Sequence, residues 1–172
     1  MKNIYTKPLL LFLLILSSCC YEDDLLRNTR EDYLGDNLRI DGFYYYSFQG
    51  KIHDVLFLYR NGVYFKVNGD GKERTKPEEV QTLLVNDHLK WLINDKDFWG
   101  IFIIKGNDIS LETWSITHGT HYSVIHTGAI LNDTTFTITK SDYTDSGITD
   151  TNRTYYFFPY SPKPDSTNTF IK

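Results

Sequence analysis

Three histidines lie close together, His118, His121 and His126, and imidazole is a common metal ligand. In a strand, His121 and His126 are an odd number of residues apart and face opposite sides. No carboxylate at helical metal spacing joins them, so they are expected to be turn and surface residues, and no metal is expected. Asp142, Asp145 and Asp150 could offer oxygens to Ca²⁺. Their spacing lacks the alternate-position ligands and central glycine of a calcium loop, and a solvated loop is expected instead. Glu112 shares a strand face with Ser110, Trp114 and Ile116. Inside a barrel it would be a candidate acid or base, with burial raising its pKa; on an outward face it would be a surface carboxylate. The sequence alone does not assign the face. No serine nucleophile elbow, glycine-rich phosphate loop or HExxH occurs, so no catalytic residue and no cofactor is expected. The only cysteines are Cys19 and Cys20, which excludes a disulfide, a cysteine-based zinc site and a cysteine nucleophile from everything that follows them.

Aromatic residues offer a different chemistry. Tyr44, Tyr46, Phe57, Tyr59, Trp99 and Trp114 could line a cavity for an apolar or carbohydrate ligand, because Tyr and Trp present a flat apolar face with a polar tip. Phe48, Phe65 and Tyr155 belong to the same set. The competing expectation is a filled core, since such rings must pack somewhere in any small barrel.

The elements that must position these residues are mostly strands. Of the 172 residues, 16% are aromatic, with 13 Tyr and 11 Phe, a bias that suits pleated, half-buried surfaces. Residues 39–48 read as a strand, and Asn61-Gly62 between two apolar runs marks a hairpin within 54–67. A helix is predicted over about 77–93, with Thr75 and Glu78 as a capping box and Pro77 in its first turn. Val80, Leu83, Leu84, Trp91 and Leu92 fall near one face of it. Strands follow at 98–104, 109–117, 121–131, 134–140 and 154–158, with 141–152 as a polar loop. Short connections rule against parallel pairing. The expected fold is mainly β: about eight antiparallel strands in a barrel or strongly curved sheet, with one inserted α-helix. Eight strands enclose side chains or one small ligand. The net charge of −4 and the lack of a basic patch argue against nucleic acid.

The N-terminus carries a separate signal. Lys2 and Lys7 precede an apolar run from Leu9 to Leu16, then Ser17, Ser18 and Cys19. These are the regions of a signal peptide, too short to span a membrane as a helix. Leu16-Ser17-Ser18-Cys19 resembles the lipobox of bacterial lipoproteins. That resemblance implies a diacylglycerol on the Cys19 thiol and cleavage before Cys19, with more than one acyl chain needed for stable anchoring. The acidic run Glu22-Asp23-Asp24 resembles the surface-export signal of Bacteroidetes-type lipoproteins. Asp133-Thr134-Thr135 and Asp165-Ser166-Thr167 resemble the O-glycosylation motif of secreted proteins of the same type, with Ser166 the better candidate and Thr134 the other. The strand layout is similar to that of small lipocalin-like lipoproteins, without their signature motif.

The expected organisation is a signal peptide at 1–18, a lipidated flexible tether at 19–37, a barrel-like domain at 38–160 and an extended tail at 161–172. The expected role is a lipid-anchored, non-enzymatic ligand-binding or interaction module on the outer membrane, probing a small apolar or carbohydrate ligand or an envelope protein. Two other roles fit the same residues: an accessory or structural subunit of an outer-membrane complex, and a small hydrolase or lyase with its site in the barrel.

Overall fold

The structure, a computed structural model, describes residues 25–67, 71–84, 87–117 and 119–172. The signal segment, Cys19 and the acidic run lie outside the described residues, as does His118.

Eight strands form one closed antiparallel barrel: β1 (Gly42–Phe48), β2 (Lys51–Leu58), β3 (Val63–Val67), β4 (Trp99–Lys105), β5 (Asp108–Thr117), β6 (Thr120–Asn132), β7 (Thr135–Tyr143) and β8 (Gly147–Pro159). Each strand pairs with the next, and β8 returns to β1 through Tyr44 opposite Phe157 and Tyr46 opposite Tyr155. Closure leaves no unpaired sheet edge. The β2–β3 turn forms where Asn61-Gly62 indicates: Gly62 has φ +74°, and a Cβ there would sit 1.9 Å from the Glu31 carbonyl oxygen. Only glycine tolerates both the backbone angle and the approach.

The barrel has two cores, one on each side of its wall. The inner one includes Tyr44, Leu56, Tyr64, Phe102, Leu111, Ile138 and Tyr155. Its rings pack closely: Phe136 stacks on Tyr155 at 4.9 Å and 9°. This core fills the end of the barrel where β1 begins, and Tyr33 and Leu38 from the preceding segment plug that end. The outer core lies against β1–β4 and joins Phe57, Phe65 and Trp99 to Val80, Leu83 and Leu92. Phe65 and Trp99 meet at 4.6 Å, and the Trp99 indole donates to the Ile93 carbonyl at 2.8 Å.

Over the predicted helix the described residues form a 3₁₀ turn at Pro77–Val80, α1 (Gln81–Leu84) and α2 (Asp87–Ile93), followed by a 3₁₀ turn at Lys96–Phe98. The N-cap is Lys76 rather than Thr75, and the box partner is Glu79, whose carboxylate accepts from the Thr75 and Lys76 amides. Trp91 is 58% exposed.

Two other boundaries move. The expected loop over 141–152 is mostly strand, with β7 reaching Tyr143 and β8 starting at Gly147. Polar residues there form the barrel lip and hide the alternation. From Leu25 onward, the stretch assigned to a tether packs on the barrel, with Tyr33 6% exposed and its amide bonded to the Arg60 carbonyl. The tail is held too: Lys163 Nζ donates to the carbonyls of Ile40 at 2.6 Å and Leu58 at 2.7 Å. Phe170 and Ile171 pack on the outer core.

Candidate ligand site

Alternation fixes which residues face inward. Lys66 is two residues beyond Tyr64, and Arg153 two before Tyr155, so both point into the barrel. His126 pairs with inward Leu111 and with Ser141, and paired residues share a face. The half of the barrel opposite the plugged end is therefore lined by polar groups.

There they form a network. The Tyr155 hydroxyl donates to Asp54 Oδ2 at 3.0 Å, and Arg153 Nη1 reaches the same oxygen at 3.5 Å. Arg153 Nη2 lies 3.3 Å from His126 Nδ1 and 3.4 Å from Ser141 Oγ. Ser141 Oγ is 2.8 Å from that Nδ1. A guanidinium only donates, so Nδ1 is the acceptor and the ring proton sits on Nε2. Burial, and then the charges of Arg153 and Lys66, push the His126 pKa down to about 4. The imidazole is neutral at physiological pH. Burial also raises the hydroxyl pKa values of Tyr155 and Tyr64, keeping both protonated.

Above this floor lies a cavity of about 320 Å³. Lys66, Thr113, His126 and Arg153 supply polar wall, and Phe98 and Tyr143 supply aromatic wall. The inserted segment closes one side through Asp97, whose Oδ1 is 3.0 Å from His121 Nε2. Desolvation raises the Asp97 pKa, opposed by His121. A larger hollow of about 580 Å³ is lined by Ser110, Thr127, Lys105 and Lys140, but it is open groove along the barrel wall, without the converging charges of the mouth.

The candidate residues distribute unevenly. Trp114 is in phase with outward-facing Glu112, beside a hollow lined by Leu25, Phe170 and Ile171, and its ring carries Lys96 Nζ at 4.5 Å. Tyr46 packs against the inner core beside Tyr155. Tyr44 is buried at 1% exposure, with its hydroxyl donating to the carbonyls of Arg39 and Asp133. Phe57, Tyr59 and Trp99 belong to the outer core, so they fill space beneath the helical turns and the tail rather than line the interior. Thr134 Oγ1 donates to Asn132 Oδ1 at 2.8 Å within a turn. Ser166 Oγ accepts from Asn61 Nδ2 at 3.3 Å.

Glu112 is on the outer face and still 1% exposed, because the segment from Leu25 lies over it. It accepts from the Arg27 amide and from the Asn28 amide at 2.9 Å. Asn28 Nδ2 donates at 2.8 Å and Ser123 Oγ at 2.6 Å. The carboxylate is thus a clamp for the N-terminal strap, reinforced by the Arg27–Asp142 pair at 2.8 Å. Asp142 is engaged there, while Asp145 and Asp150 are exposed. No group of three or more His, Cys, Asp or Glu able to hold a metal occurs among the described residues.

No protein-family model, curated protein or solved structure matches the chain. Sequence reasoning missed Lys66 and Arg153, the charges that define its open end. The signal was available: each is a lone charge in phase with an aromatic stripe.

Proposed function

We propose that this chain is a lipid-anchored envelope protein whose barrel binds a small ligand at its open end. The observation that carries the reading is the division of the interior: one half is plugged by aromatic rings, and the other holds a polar-floored cavity of about 320 Å³. A barrel built only for stability gains most from a filled apolar core, whereas converging polar groups under aromatic walls are the usual dress of a ligand pocket. The Ser141–His126 contact does not favour a hydrolase. An imidazole with its pKa pushed down to about 4 is a feeble base at neutral pH.

Anchoring rests on the lipobox-like residues ending at Cys19. The test has two parts. Labelled fatty acid fed to expressing cells is expected to enter the wild-type protein and not Cys19→Ser; equal labelling of both would refute the anchor. A thermal-shift screen of small metabolites on the full-length protein is expected to find ligands whose stabilisation disappears when Ser115→Trp fills the cavity, Ser115 being one of its lining residues. Ligands that stabilise both forms equally would refute the site.

A further inference from the structure

We infer that the ligand is a small organic carboxylate, its charged end held between Arg153 and Lys66 and its apolar body against the aromatic wall. This rests on the reading of the open end as a ligand site. The groups facing the cavity floor are nearly all donors. His126 has committed Nδ1 as an acceptor, which leaves Nε2–H. Arg153 carries five donor protons, yet its contacts are long, at 3.3–3.5 Å, and its buried Nε has no hydrogen-bond partner. Lys66 makes no ion pair within 4 Å among the described residues.

These three side chains come from β3, β6 and β8, across the barrel from one another. Arg153 Nη2 lies 3.3 Å from His126 Nδ1, and Lys66, His126 and Arg153 all line the same cavity, so the three converge there. Two carboxylates lie nearby: Asp54, held by Tyr155 and Arg153, and Asp97 at the cavity wall, which lies 3.0 Å from His121 Nε2 but whose buried Oδ1 has no hydrogen-bond partner.

Two converging cations and an orphaned buried donor are costly to hold together unless something accepts from them. A carboxylate does so with two oxygens and matches the planar fork of a guanidinium. The remaining aromatic wall is Phe98 and Tyr143, which fits a flat apolar body rather than a bare ion.

The test is a fluorescence and calorimetric titration of the full-length protein in low salt, with phenylacetate, phenylacetamide and inorganic phosphate as probes. Phenylacetate is expected to bind at least tenfold more tightly than the isosteric amide. Lys66→Gln leaves no ion-pair partner stranded among the described residues, so it is expected to fold and to erase that preference. Equal affinity for acid and amide, unchanged by Lys66→Gln, would overturn the carboxylate while leaving a ligand site standing. Phosphate binding as tightly as phenylacetate would overturn the apolar body and leave a bare anion site. If none of the probes binds, and the metabolite screen also finds nothing, both this inference and the reading beneath it fail.

Discussion

His126 should make the stability of this barrel fall in mildly acidic solution. Its folded pKa is about 4 against 6.5 for the free side chain. A folded value below the unfolded one means that the unfolded chain takes up the proton first. The associated stability is therefore complete above pH 6.5, declines as pH falls toward 4, and changes little below that. Linkage over this interval gives a loss of about 2 kcal/mol by pH 5 and about 3 kcal/mol by pH 4. The cause is structural: the ring is desolvated and faces Arg153 and Lys66, with Asp54 only partly offsetting them. Carboxylates titrate in the same range, so the assay is a difference. Urea unfolding of wild type and His126→Asn is measured from pH 8 to pH 4. The Asn side-chain oxygen can take the place of Nδ1 as acceptor from Ser141 and Arg153 but cannot charge. Any fixed cost of the substitution appears at pH 8 and subtracts out. The wild type is expected to lose about 3 kcal/mol more than the variant between pH 8 and pH 4. Parallel profiles would refute the neutral-imidazole floor, and with it the assignment of Arg153 as donor to Nδ1.

Three further outcomes test the frame around the site. Glu112→Gln removes the charge from a carboxylate that accepts four donors. It is expected to cost about 2–3 kcal/mol and to speed amide hydrogen exchange at Arg27 and Asn28; unchanged exchange would show that the strap is held otherwise. Lys163→Met strands the carbonyls of Ile40 and Leu58 that its ammonium joins. A loss of about 1–3 kcal/mol in urea unfolding, with earlier proteolysis of the tail, is expected. Gly100→Ala places a methyl 2.4 Å from the Glu112 carbonyl oxygen and from the Tyr64 ring. Overpacking of this kind costs about 1–3 kcal/mol, and a melting temperature equal to wild type would show that the β4–β5 contact relaxes freely.

Much of the fold was legible because its punctuation is local. Asn61-Gly62 and the polar turns between apolar runs mark hairpins without reference to anything distant, and their regular spacing yields eight antiparallel strands. The faces of those strands were not legible, and β4 shows why. In Trp99–Lys105, the residues from Trp99 to Phe102 are all buried, because the inner core lies on one side and the helical turns on the other. A strand covered on both faces loses the apolar–polar alternation that would sort them. Phe57 and Trp99 therefore looked like cavity residues when they belong to the outer core. At the barrel lip the opposite happens: Ser141, Asp142, Gly147 and Thr149 to Thr151 are polar or small on both faces, with Ile148 exposed among them, and they read as loop.

The same two-sidedness explains Glu112. A carboxylate in a strand is expected to face either water or an interior site, and here it does neither. It faces outward and is buried by residues more than eighty positions earlier in the chain, a pairing that no local pattern announces. Arg153 is the more instructive contrast, since its strand does announce it. Arg153, Tyr155 and Phe157 are in phase, and the last two lie with the inner core. A charge continuing an inward aromatic stripe is either an error of register or a place where the interior stops being core. Closure of the barrel decides between these, because β7 and β1 fix the register of β8 on both sides. Where Arg153, Lys66 and His126 meet, the packed core ends and the polar cavity begins.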